Sequence, residues 1–201
     1  MAAPLYYPGA TTVGIRGVDS AVIAAEKRFA YGYFVMSKQA KKVFKITNYV
    51  GAACAGIVAD MQNVLKEVKA YTNLYRFEQN LEPSVRTVAK MLSLNLFGNR
   101  YFPYLMETIV GGVDREGPHI IVLDPLGSMI EDDYAVVGTG AEIAVGVIES
   151  GYRRDMSAKE IYELAVKAIR ASIGRDAGSG NGIDLLLYTP EGLKAEDTLP
   201  V

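Results

Sequence analysis

The chain has 201 residues, 50% hydrophobic and 22% charged, with a formal net charge of −2. That is enough chain for one domain burying about 70% of the surface exposed when unfolded, and the composition of an ordinary soluble globular protein excludes a disordered or fibrous one. With no basic stripe beyond "KQAKK" at 38–42, the balance argues against nucleic acid as a partner.

The opening residues 1–9, "MAAPLYYPG", lack the cationic start and apolar centre of a secretory signal. The longest apolar run, "VGAACAGIVA", is too short to cross a bilayer, so a cytoplasmic protein with no membrane partner is expected. From Thr11 to about Ala59 short β-type runs alternate with turns: "TTVGIR", the turn "GVDS", "AVIAAEKR", "KKVFKIT" and "VGAACAGIVA". The period then becomes helical, with Met61, Val64, Leu65, Val68, Tyr71 and Tyr75 behind Asp60 as the expected N-cap. A second helix is expected with Pro83 in its first turn and Val85, Val88, Ala89, Leu92 and Leu96 on one face.

After Asn99, "ETIVGGVD" and "PHIIVLDPLG" form a strand pair joined by "DREG", and "YAVVG" leads into a helix over "AEIAVGVIES". Ser157 and Glu160 have the spacing of a capping box ahead of Ile161, Leu164, Ala165, Ala168 and Ile169. A strand "IDLLLY" and a polar tail follow. Strands and helix pairs in this segregated order predict an α+β fold, with two antiparallel sheets facing each other and helix pairs outside.

Cys54 is the only cysteine, so an intrachain disulfide and a cysteine-based zinc site are excluded. His119, the only histidine, lies in a strand and reads as structural; no metal and no cofactor are expected. Gly138-Thr139-Gly140 between strand and helix has the outline of a phosphate-cradling turn, but Ile143 stands where a dinucleotide fingerprint needs a third glycine. "GRDAGSGNGID" at 174–184 reads as a helix end and loop, or as the polar wall of a site. Glu26, Lys27 and Arg28, and the pair Lys41-Lys42, leave the same choice open, since alternation turns only one of each adjacent pair inward.

Taken in order, "GATTVGI", "AAEKR", "KQAKKVFKI", "AGIVAD", "GGVD", "GTG" and "RDAGSG" resemble a proteasome β subunit of the archaeal type over nearly the whole chain. The resemblance implies the N-terminal-nucleophile hydrolase fold, a four-layer α–β–β–α sandwich. It also implies a threonine protease that works in protein degradation. In active members, self-cleavage between a glycine and a threonine removes a propeptide; the threonine hydroxyl is then the nucleophile and its α-amino group the base. By matched motif, Glu26 is the acid that orients the site lysine, and Lys42 is that lysine, whose charge lowers the nucleophile's proton affinity. Gly56 is the oxyanion glycine. Asp176 and Ser179 hydrogen-bond around the N-terminus, and Thr139 stands where serine is common. Phe29, Ala40, Cys54 and Val58 would line the pocket for the residue before the scissile bond. The implied partners are α subunits and other β subunits in stacked seven-membered rings, with unfolded proteins as the particle's substrates.

The resemblance places the nucleophile at position 10, where this chain has alanine. A methyl group cannot attack a carbonyl, and while residues 1–9 stay attached the nitrogen of residue 10 is an amide, not an amine base. Thr11 is turned to the other face of the strand, and Thr12 lies about 7 Å further along, beyond the roughly 3 Å of hydrogen-bond reach. The leading expectation is therefore a single β-type domain, 10–201, behind an uncleaved leader, 1–9, catalytically silent and structural. The alternative is an active threonine endopeptidase in which an introduced Thr→Ala change stands at position 10. A nucleotide-binding module built on 138–140 is the third and weakest reading.

Overall fold

The computed structural model describes residues 9–32 and 34–201; the expected leader, apart from Gly9, lies outside the described residues. In chain order, β1 (Thr12–Arg16) and β2 (Ala21–Glu26) are followed by the hairpin of β3 (Phe29–Tyr31) and β4 (Phe34–Ser37), then β5 (Val43–Lys45) and β6 (Val50–Gly56). Helices α1 (Val58–Gln79) and α2 (Val85–Gly98) come next. Then follow β7 (Met106–Asp114), β8 (Gly117–Leu123), β9 (Met129–Asp132) and β10 (Tyr134–Val137). Helices α3 (Ala141–Gly151) and α4 (Ala158–Ile173) precede β11 (Ile183–Thr189) and β12 (Gly192–Leu199).

The strands build two five-stranded sheets, ordered β10-β1-β2-β11-β12 and β5-β6-β7-β8-β9, with every pairing antiparallel. Because both faces of the central strands are covered, β2 is apolar along almost its whole length rather than alternating with polar residues. Its pleat still sorts the side chains. Val22 and Ala24 pack with Ile148, Ile161, Leu164 and Ile169 of α3 and α4, whereas Ala21, Ile23 and Ala25 pack with Ile109 and Ile120 of the opposing sheet. The other sheet buries Val110, Ile121 and Leu123 against Val64, Leu65, Leu92 and Leu96 of α1 and α2. The result is the expected α–β–β–α sandwich. The sheets approach closely: a Cβ on Gly14 would lie 2.6 Å from Ile109 Cγ2, and one on Gly111 2.6 Å from Ile23 Cγ2.

Local chemistry explains where the elements begin and where the expectations slip. The capping box on α4 is present in both directions between Ser157 and Glu160. Ile57 rather than Asp60 holds the cap position of α1; Asp60 lies in the first turn and accepts the Leu105 N–H at 2.9 Å. Ser84 caps α2, one residue after Pro83. Thr72, not Tyr71, continues the buried stripe of α1, and Tyr71 is exposed. The polar tail includes β12, an edge strand in which exposed Lys194, Glu196 and Thr198 alternate with partly covered residues. Charged residues of this kind guard a free sheet edge, so the strand carries little apolar signal. Among the described residues no helix is long and apolar enough to cross a membrane.

Ile109 is fully buried between the sheets, where the closely facing Gly14 leaves little room for collapse. Ile109→Ala is expected to cost about 2–5 kcal/mol in equilibrium chemical denaturation; a cost within about 0.5 kcal/mol of zero, as at a surface position, would contradict this packing.

Candidate active site

Five segments converge at one end of the facing sheets: the residues entering β1, the end of β2, the start of β5, the turn between β10 and α3, and the loop after α4. Ala10 lies at their centre with no exposed surface. Its amide N–H donates to Thr139 Oγ1 at 3.2 Å, and its carbonyl accepts the Gly140 N–H at 3.2 Å. The backbone of residue 10 is thus stitched to the Gly138-Thr139-Gly140 turn.

Beside it lies a buried ion pair. The Glu26 and Lys42 side chains are 0% and 2% exposed and bond directly through Glu26 Oε1. The second carboxylate oxygen accepts the Arg28 N–H at 2.6 Å and the Gly180 N–H at 2.9 Å. The Lys42 ammonium also reaches the Gly9 carbonyl at 3.4 Å, the carbonyl of the 9–10 peptide bond. Burial holds the Glu26 carboxyl above the ordinary carboxylate range, while the Lys42 charge and the N–H groups of Gly180 and Arg28 pull the other way.

Asp176 is the second hub. Its Oδ2 accepts the hydroxyls of Thr139 at 2.7 Å and Ser179 at 2.6 Å, and its Oδ1 accepts the Gly178 N–H at 3.0 Å. A hydroxyl has one proton, so Thr139, having given its proton to Asp176, accepts from Ala10, and Ser179 accepts from Thr11 at 2.7 Å. Thr12 donates to the Cys54 carbonyl at 2.9 Å. Both threonine hydroxyls near the junction are therefore committed to partners.

Of the residues singled out in the sequence, Ala10, Glu26, Lys42, Thr139, Asp176 and Ser179 share this connected constellation. Gly56 ends β6 with φ of 130° and its backbone pressed against Leu105; the neighbouring Ala55 abuts the turn at Gly138. Phe29, Ala40 and Val58 are partly buried. Cys54 is fully buried under α1 and α2, its thiol 3.5 Å from Thr108 Oγ1 and pushed up to about 12 by burial. A cleft of about 240 Å³ lined by Lys27, Gln39, Lys41, Asp184 and Glu196 includes none of these four. His119 sits in β8 with Nδ1 2.5 Å from Glu131, apart from the constellation. No group of three or more His, Cys, Asp or Glu among the described residues is arranged to hold a metal.

Two further contributors emerge: Arg28, which the sequence left open between a surface and a site residue, and Glu107, which it did not single out. Arg28 clamps the loop after α4, through Nε to Asn181 Oδ1 at 3.0 Å and Nη1 to the Ala177 carbonyl at 2.8 Å. Glu107, on β7, accepts the Gly138 N–H at 3.1 Å. With Gly138 bonded to a carboxylate and Gly140 to the Ala10 carbonyl, the turn offers its N–H groups to the protein itself, and the phosphate-cradle outline has no chemistry behind it.

Chemically, the arrangement presents a lysine charge and a hydroxyl shell around one backbone nitrogen and one peptide carbonyl. At residue 10 it offers a methyl group and an amide that donates a proton. Residues 6–187 match the proteasome family, described as "Proteasome subunit". The chain is 49% identical over 189 residues to proteasome subunit beta 2 of Pyrobaculum arsenaticum, covering 94% of this chain and 93% of that protein. It is 50% identical over 195 residues to proteasome subunit beta 1 of Hyperthermus butylicus, covering 96% of each. Against proteasome subunit beta 2 of Caldivirga maquilingensis it is 50% identical over 182 residues, 90% of this chain and 91% of that protein.

The ion pair yields a signed prediction. Lys42→Met removes the charge that draws Glu26 down, so its folded-state value rises further above that of the unfolded chain. A raised carboxyl contributes stability that is full below the unfolded value and is lost as pH rises through the folded value. The variant's deficit, about 3–5 kcal/mol for a broken buried pair, is therefore expected to be larger near pH 8 than near pH 5 in denaturant titrations. An equal deficit at both would contradict the pairing.

Proposed function

We propose a silent β subunit: the chain belongs to the proteasome subunit family, its relatives named above are β-type subunits, and its own site lacks the reacting group. The observation that carries this is the Ala10 methyl at the centre of an otherwise complete polar constellation. In an active β subunit a hydroxyl at this position attacks the peptide carbonyl, its free α-amino group takes the proton, Lys42 supplies positive charge and the Gly56 N–H receives the oxyanion. Here the hydroxyl is missing. Without it the 9–10 bond is not cut, so the α-amine is never released.

Residues 1–9 then remain as a leader on one β-type domain, 10–201. The chain's work is architectural: it fills places in seven-membered β rings, contacts α subunits and other β subunits, and shapes the pockets of active neighbours that degrade unfolded proteins in an enclosed, cytoplasmic chamber. This reading requires that the source encode another β chain with a Gly-Thr junction.

A second reading, a threonine endopeptidase interrupted only at residue 10, is favoured by the complete shell of Glu26, Lys42, Thr139, Asp176 and Ser179, since a long-silent site has no need to keep it. Both readings make position 10 the reactive position. In assembled particles, Ala10→Thr is expected to release residues 1–9 and raise peptide hydrolysis at least about 1000-fold over the parent chain, the scale on which a nucleophile matters. A variant that keeps its leader and stays inert would show that more than a hydroxyl is missing.

A further inference from the structure

Gly9 and Gly178 touch backbone to backbone. A Cβ built on Gly9 would lie 2.2 Å from Gly178 Cα, and one built on Gly178 would lie 2.5 Å from Gly9 Cα and 3.2 Å from Thr139 Oγ1. Gly178 is not among the residues with positive φ, unlike Gly56 and Gly138. At 178 glycine therefore serves for space and not for backbone conformation, and at Gly9 the same close approach leaves no room for a Cβ. At 2.2–2.5 Å, with backbone on the other side, no side-chain rotation relieves the clash.

The wall that carries Gly178 is held firmly. Its N–H is bonded to Asp176 Oδ1 at 3.0 Å, the preceding Ala177 carbonyl is gripped by Arg28 at 2.8 Å, and the Gly180 N–H is bonded to the buried Glu26 carboxylate at 2.9 Å. The loop cannot retreat from residue 9 without giving up these bonds. On the other side, the 9–10 peptide is held at both ends, its carbonyl by Lys42 at 3.4 Å and its N–H by Thr139 at 3.2 Å.

We infer that Gly178 is a positioning residue for the 9–10 peptide bond: with Gly9 it forms a slot that admits only glycine at each position and seats that bond between Lys42 and Thr139. The inference rests on position 10 being the reactive position, and deepens that reading by naming what aims the bond. A methyl group at 178 pushes residue 9 off the wall, so the carbonyl leaves Lys42 and the Ala10 N–H loses Thr139. In the self-cleaving form the introduced hydroxyl oxygen bonds to the Gly9 carbonyl carbon as the bond from that carbon to the residue 10 nitrogen breaks. The nitrogen gains the hydroxyl proton, and water then hydrolyses the ester. Misplacing the carbonyl slows the first of these steps.

The first test needs no catalysis. Amide hydrogen exchange is compared in the parent chain and in Gly178→Ala, within the assembled particle. The Ala10 amide is expected to exchange at least about tenfold faster in the variant while the amides of β1 and β2 keep their protection, a local opening. Unchanged Ala10 protection overturns the inference. If Gly178→Ala does not assemble, Gly9→Ala makes the same collision from the other side, and the same two results decide.

The second test is made with Ala10→Thr. Adding Gly178→Ala is expected to slow release of residues 1–9 at least about tenfold. Peptide hydrolysis by a chain made to start at residue 10 is expected to fall much less, because residue 9 is then gone. Equal slowing of both would mean a merely structural role and overturn the inference. If Ala10→Thr alone never releases the leader, the reading of position 10 fails, and the exchange measurement still judges the slot.

Discussion

The site depends on one carboxylate and one ammonium taken out of water together. Glu26 ends β2 and Lys42 precedes β5, so their bond ties the two sheets where they face each other. The second Glu26 oxygen extends that tie to the loop after α4 through Gly180 and to its own strand end through Arg28. A buried pair of this kind is weak evidence of net stability, but removing either partner strands a charge, so the pair is kept whole or replaced whole. Much of what touches residue 10 is placed from this anchor or from Asp176, which binds Thr139, Gly178 and Ser179 within the same loop system.

From that arrangement the character of the site follows by subtraction. Its polar groups have partners, its lysine faces a peptide carbonyl, and its hydroxyls form a directed chain from Thr11 through Ser179 to Asp176. Preorganised charge of this kind lowers a barrier only when a reacting atom is present to develop charge. On the proposed reading the reacting atom is replaced at residue 10 by a methyl group, and the nitrogen that would be a base is a donor in a peptide bond. The proposal is thus a scaffold of catalysis without its nucleophile.

The layer order was legible because each strand and helix announces its own period. β2 is apolar on both faces, α2 and α4 carry clear stripes, and Ser157 and Glu160 mark a helix start by local chemistry alone. What escaped was structure held by distant partners. β12 hides behind Lys194, Glu196 and Asp197, the short β3–β4 hairpin has no periodicity to show, and Asp60 looks like a cap while serving Leu105 across the chain. The same holds in the site. Glu26, Lys42, Asp176 and Ser179 have roles that their motifs imply, whereas Arg28 and Gly178, in the same motifs, and Glu107, outside them, take theirs from partners far away in sequence. A glycine needed for space looks like any loop glycine until the opposing backbone is known.

The most direct measurement of the central claim is the intact mass of this chain taken from assembled particles. The account predicts a mass that includes residues 1–9, with the Gly9–Ala10 bond uncut. A chain whose first residue is Ala10 or Thr11 would contradict it, since a methyl group at residue 10 could not have made that cut.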